Sequence, residues 1–331
     1  MRNKYHCVYV LCPANTLTAG PEALHQLVAK LNELGQPAAI VYTPTHKQHT
    51  TPSAYKKYAV PISRYVDCKD DLIIFPEIMP VAALRVKNAQ AAIWWMSVNN
   101  YTCERYENYW RDQFRYFKNW IKRKRPLFGI KTLKHLLHFA QSYYAEDFLK
   151  KFNISSQLLS DPIPEYTRLE YLTSLAPHLN KKNRNNIIFY NPKKGMKIIK
   201  KLMRLYPKLI FKPLIGLDRA ALAETFLSGK IYIDFGHHPG KDRLPREAAI
   251  HGCCVITNLY GSAANAHDVP IPDEYKFNIR SDFYVSCKKL IEDIFFNFLE
   301  HQKAFEAYRH AISQEAINFD QQVLKNFFIT T

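Results

Sequence analysis

The sequence predicts an α/β protein of two Rossmann-like domains facing a central cleft. Three observations predict it. Each half opens strand, loop, helix and then continues in alternation. Short apolar runs, bounded by turn residues, read as buried strands. The chain has 331 residues, where roughly 150 suffice for one domain, and each half is long enough to bury its own core.

The elements follow in order. Residues 6–12, HCVYVLC, read as a first strand. PANTLTAGPEALHQLVAKLNELG is loop, then helix, with Pro21 at the first helical position and Glu22 at the positive end of the helix dipole. Leu24, Leu27, Val28, Leu31 and Leu34 share one face, and Gly35 stops the helix. AAIVYT (38–43), LIIFPEI (72–78) and AAIWWMS (91–97) are further strands. Glu77 closes one of them, and Ser97, Asn99 and Asn100 follow another. The pattern restarts with IIFY (187–190), the loop NPKKG, and a helix from MKIIKKLMRL. After the strand LIFKPL, Asp218 is the expected N-cap of RAALAETFLSG. IYIDF and CCVIT are core strands, and a helical region runs from about 284 to 328. The expected domains are 1–163, with a basic aromatic helical insertion at 104–151, then a linker over 164–186. A second domain covers 187–300, and a C-terminal helix over 301–331 packs back on the first.

A formal net charge of +17 favours phosphorylated or otherwise anionic partners. The seven cysteines show no C-x-x-C spacing, which excludes a disulfide framework or zinc finger and fits a reducing cytoplasm. No run approaches a membrane span, and the N-terminal apolar run is too short for a signal peptide.

The stretch KIYIDFGHHPGKDRLPREAAIHGCCVIT (230–257) places polar chemistry between two core strands. Gly236 and Gly240 permit close backbone approach. Lys241 and Arg243 offer donors to phosphate oxygens. Pro245 opens a helix with free N–H groups, and Glu247 in its first turn either accepts from ribose hydroxyls or merely caps the helix. His237 and His238 point in opposite directions on extended chain, so one lines the cleft and no metal site is expected. Lys193, Lys194 and Gly195, at a strand-to-helix junction, make a diphosphate cradle that lacks the P-loop pattern.

NPKKG and PREAAIHGCCVIT resemble the nucleotide-sugar-binding domain of GT-B glycosyltransferases. TAGPEALHQLVAKLNELG and WWMSVNNY resemble bacterial members that build capsule or lipopolysaccharide. The resemblance implies transfer of a sugar from a nucleotide sugar to a glycan or lipid-linked glycan acceptor, without a metal or other cofactor. It puts Glu247 on the ribose, and Gly20 and His238 among the donor-binding residues. For an inverting enzyme, Glu77 is the first candidate for the base, then Glu22 and His25. The second-glutamate pattern of many retaining members is broken, because its first acid falls on Pro239 beside His238.

Residues 105–138 interleave basic and aromatic side chains, and 118–139 holds seven Lys/Arg and no acid. Such a segment packs its rings inward, or lies on an anionic membrane surface at the cytoplasmic face. No RNP, KH or zinc-finger pattern supports nucleic acid. Two readings stay beside the transferase: a non-catalytic nucleic-acid or anionic-surface binder, and a GT-B-fold sugar-nucleotide epimerase.

Overall fold

A computed structural model describes residues 2–102, 130–163, 168–179 and 184–329. The chain divides into two compact units. Unit 1 is Met1–Asp161 with Asn318–Thr331, and unit 2 is Pro162–Ile317. Of the expected insertion over 104–151, residues 104–129 lie outside the described residues.

A short antiparallel pair joins β1 (Arg2–Asn3) to β13 (Phe328–Ile329). The main sheet of unit 1 comprises β2 (Val8–Pro13), β3 (Ala38–Thr43), β4 (Leu72–Pro76), β5 (Gln90–Trp95), β6 (Leu137–Ala140) and β7 (Gln157–Leu158). Its order is β3-β2-β4-β5-β6-β7, parallel throughout. Strands covered on both faces need apolar side chains at every position. Accordingly all five residues of LIIFP are buried. Helix α1 (Ala19–Glu33) supplies Leu24, Leu27, Val28 and Leu31 to one face. It begins at Ala19, so Pro21 is its third residue rather than its first.

The basic aromatic reading needs correction at its end. Leu137–Ala140 is a strand, with Phe139 wholly buried. His138 is core too: Trp95 Nε1 donates to its Nδ1 at 2.9 Å. Ile130 and Leu133 are also buried. Lysines just before it hid the short run LHFA, which β-sheet pairing selects. Helix α2 (Tyr143–Lys150) follows, its N-cap Ser142 accepting from Ala145 N.

Unit 2 holds α3 (Leu169–Leu179), inside the stretch expected as a linker, and Leu175 of that helix is buried in the unit's core. Its sheet comprises β8 (Asn185–Tyr190), β9 (Ile210–Pro213), β10 (Gly229–Asp234), β11 (Cys254–Asn258) and β12 (Lys276–Phe277). The order is β12-β11-β10-β8-β9, again parallel. Helices α4 (Met196–Leu205), α5 (Arg219–Ser228) and α6 (Arg243–Ile250) connect these strands. Asp218 caps α5 by accepting from Ala221 N at 2.9 Å. The C-terminal helices are α7 (Phe283–Phe296), α8 (Phe298–Lys303), α9 (Glu306–Ser313) and α10 (Glu315–Phe327). Phe319, Val323 and Phe327 of α10 belong to the unit 1 core. Each unit is thus a Rossmann-like domain.

Candidate active site

In an open parallel sheet a ligand sits beyond the carboxyl ends of the strands, where the strand order reverses. In unit 2 that point lies between β8 and β10, since the chain runs from β8 outward to β9 and then back to β10. The two loops that leave β8 and β10 there are Asn191–Gly195 and Phe235–Asp242. These are the segments singled out from the sequence.

The loops are pressed together. Gly195 has φ of 61°, and a Cβ there would lie 2.8 Å from the backbone of Phe235. A Cβ on Gly236 would meet Lys194 Cβ at 2.6 Å. Any larger residue at either position forces the loops apart. Lys194 then spans the junction, its ammonium 2.7 Å from Asp242 Oδ2.

Asp242 also accepts from His238 Nδ1 at 2.9 Å, and the other ring nitrogen of His238 faces the carbonyl of Asp234 at 3.3 Å. Both partners only accept, so both nitrogens donate and the ring is an imidazolium. Burial pulls the His238 pKa down. The Asp242 hydrogen bond and the charges of Asp234 and Asp242 outweigh it and hold the pKa above its ordinary value. Two carboxylates, one imidazolium and one ammonium therefore balance. Asp234, His238 and Asp242 present three ligand atoms within 4.8 Å of one another. A metal ion there has to displace the Lys194 ammonium and strip a proton from His238, so the donor set fits a cation poorly.

His238 is therefore a buried brace, and His237 is the exposed member of the pair. The third loop, after β11, completes the frame. Asn258 Nδ2 donates to Gly236 O at 2.7 Å, and Ser262 N donates to His238 O at 2.9 Å. Ser262 Oγ holds the carbonyl of Gly240.

Helix α6 starts two residues before Pro245, with Asp242 at its N-cap position, so Glu247 is not in the first turn. Glu247 is buried, and its Oε1 accepts from Arg243 Nε at 2.6 Å. The two residues expected to act separately, on ribose and on phosphate, form one pair. Lys241 is likewise drawn to Glu315, at 2.8 Å. Lys193 is the exposed exception: among the described residues its ammonium has no partner.

Arg246, fully buried, was not legible as a site residue. Its guanidinium reaches Glu315 Oε2 at 2.8 Å and the carbonyls of Lys241 and Asp242 at 3.0 and 3.2 Å. It fixes the turn that leads into α6. Burial would raise the Glu315 pKa, but Arg246 and Lys241 hold it below the usual range.

In unit 1 the strand order reverses between β2 and β4. Gly20, at the start of α1, and Glu77, just past β4, flank that point. A Cβ on Gly20 would lie 3.8 Å from Met96 Cε, and Met96 N donates to Glu77 Oε2 at 3.2 Å. Asn100 Nδ2 donates to Glu77 Oε1 at 3.2 Å. Burial raises the Glu77 pKa to about 7, outweighing these donors. A carboxyl poised near neutrality beside a switch point has the properties of an acid–base group.

Glu22 and His25 do not. Glu22 Oε1 accepts from Tyr58 OH at 2.8 Å and lies 3.2 Å from the Lys57 ammonium. His25 Nδ1 is 2.7 Å from the Pro21 carbonyl, so it carries the proton, and Nε2 accepts from Tyr42 OH at 2.8 Å. The ring is wholly buried, which lowers its pKa. Glu22 thus ties α1 to the turn Ser53–Tyr58, and His25 ties it to β3.

No protein-family model and no curated protein matches the sequence. Solved structures do match the fold. A glycosyltransferase from Rickettsia africae superposes with a TM-score of 0.60 at 15% identity, covering 97% of this chain and 99% of that one. Anabaena HepE, solved with UDP-glucose, gives 0.59 at 11% identity over 96% and 98%. The sucrose-phosphate synthase of Thermosynechococcus elongatus gives 0.61 at 12% identity over 97% of both chains. The chain has the GT-B fold of glycosyltransferases.

Proposed function

We propose that the chain is a glycosyltransferase of the GT-B type. It moves a sugar from a nucleotide-sugar donor held by unit 2 to a glycan or lipid-linked glycan acceptor offered to unit 1. The observation that carries this reading is the braced junction of the β8 and β10 loops at the unit 2 switch point. There the uncommitted Lys193 ammonium and the first N–H groups of α4 are available to a diphosphate. UDP-glucose in the complex of Anabaena HepE supports the same donor class.

The chemistry follows from the charges. The bond between the anomeric carbon and the diphosphate breaks, and its electron pair leaves with the nucleotide. Lys193 and the α4 N-terminus stabilise that growing negative charge, with no metal in the reaction. Ribose hydroxyls replace Arg243 at the Glu247 carboxylate, releasing the guanidinium toward the phosphates. Glu77, ionised, takes the proton of the acceptor hydroxyl as it attacks.

The acceptor belongs to cell-surface polysaccharide assembly, capsule or lipopolysaccharide, at the cytoplasmic face. Among the described residues no helix is long and apolar enough to cross a membrane. Peripheral contact with anionic lipid is assigned to the basic aromatic segment 105–138, where Lys131 and Lys134 are exposed while Leu133 and His138 are core.

The test is incubation with UDP-, GDP-, CMP-, ADP- and dTDP-sugars and glycan acceptors, following nucleotide release and product. Acceptor-dependent release from one donor supports the reading. A donor converted to its epimer, with no transfer, gives the chain to an epimerase instead.

A further inference from the structure

Unit 1 carries a cavity of about 410 Å³ on the flank of β3. It lies in the range of small-molecule sites. The segment that forms it leaves β3 at Pro44 and returns so that Ile62 pairs alongside Ile40. Ala59, Val60 and Ile62 give it an apolar wall, and Ile62 is 46% exposed at its lip. His49, Thr50 and Lys56 supply the polar side.

Lys56 and Thr50 offer donors to an anion. His49 Nε2 donates to the Pro44 carbonyl at 3.0 Å, and its ring packs edge-on against Tyr42 at 6.0 Å. That fixes the ring and leaves Nδ1 as an acceptor for a sugar hydroxyl. The Lys56 ammonium is exposed and has no partner among the described residues. From residue 34 to residue 66 the chain holds Lys47, Lys56, Lys57 and Arg64 and no acid. Glu22, which touches this segment from α1, is already engaged by Tyr58 and Lys57. An anion entering the cavity therefore meets cationic and hydroxyl donors, and a sugar face meets the aliphatic wall.

Position ties the cavity to the acceptor. Tyr55, in the same segment, donates to the carbonyls of Thr16 and Thr18 in the loop that leaves β2. Glu77 lies beyond β4, two strands across from β3 in the same sheet.

We propose that this cavity binds an anionic sugar residue, bearing a phosphate or a carboxylate, of the acceptor glycan. The inference rests on the reading of unit 1 as the acceptor domain. It defines the acceptor as a charged glycan.

The experiment is a methyl-detected NMR titration of the full chain, with labelled Ile, Val, Ala and Met. The probes are glucose 6-phosphate, glucuronate, glucose and inorganic phosphate. The expected result is saturable shifts of the Val60 and Ile62 methyls with one or both anionic sugars and none with glucose. Lys56→Gln and Thr50→Val, both at exposed positions, weaken that binding about tenfold while the spectrum stays folded. No shift at these methyls with either anionic sugar overturns the proposal, as does unchanged affinity in Lys56→Gln. Inorganic phosphate binding as tightly as glucose 6-phosphate overturns it too, because the cavity then holds a bare ion. A parallel UDP and GDP titration, read at the Met196 methyl in unit 2, reports the donor site independently, so failure of one reading is not mistaken for failure of the other.

Discussion

Lys194 and Asp242 meet at 2.7 Å, and this contact joins the loop after β8 to the loop after β10. His238 holds Asp242 from the other side. The two loops are thus braced before any ligand arrives. Lys194→Met removes the ammonium and leaves Asp242 with only the His238 contact. Nucleotide affinity is expected to fall at least tenfold in calorimetric titration, with a lower Tm. Unchanged affinity would show that the brace is irrelevant to binding.

Glu77 governs the chemical step in this account. Glu77→Gln keeps an isosteric side chain and removes the base. The expected loss in kcat is about 100-fold or more, with nucleotide affinity unchanged. Wild-type kcat is expected to rise with pH up to about 7 and then level, because the raised carboxyl must ionise first. The same shift makes Glu77 favour the folded state at low pH. That contribution is complete below the ordinary glutamate range and is lost as pH rises through about 7. A kcat that does not depend on Glu77 removes it from the mechanism.

Glu315 gives the opposite sign. Its pKa is depressed by Arg246 and Lys241, so its contribution is present above the ordinary glutamate range and lost as pH falls through its folded value. Glu315→Gln leaves Arg246 buried without its counter-charge, and a cost of about 3–5 kcal/mol is expected from denaturant unfolding. A cost below 1 kcal/mol would mean that Lys241 and the backbone carbonyls alone satisfy the network.

His25→Phe tests the reassignment of that residue. The ring's two hydrogen bonds are lost and Tyr42 OH loses its acceptor, for an expected cost of about 1–3 kcal/mol. The pH profile of kcat should not move. A profile that flattens would return His25 to the catalytic list.

Alternating strands and helices were legible because buried parallel strands need apolar side chains, as in LIIFP and IYI. Lys193, Lys194 and Glu247 stood out because glycine and proline punctuate the loops that carry them. Distant partners were not legible: Asp242 is 48 residues from Lys194 and Glu315 is 69 from Arg246, and only the fold brings such groups together. Asp234 read as the end of a strand, and nothing local marks it as a brace for His238. The strand Leu137–Ala140 was obscured by basic neighbours, since four residues carry no period of their own. Glu22 and His25 looked chemical because the tyrosines that engage them, Tyr42 and Tyr58, come from the next strand and turn.

The most direct test of the donor site is thermal unfolding of wild type and Glu247→Gln with UDP, GDP, CMP, ADP and dTDP, each also supplied as its sugar derivative. At about a hundred times its Kd, a ligand stabilises the native state by about 2.7 kcal/mol, a shift of several degrees or less in Tm for a chain of this size. The account predicts that nucleotides of one base raise the wild-type Tm and leave the variant unmoved. If no nucleotide or nucleotide sugar shifts the wild type, or if both proteins shift equally, the β8 and β10 loops are not the donor site.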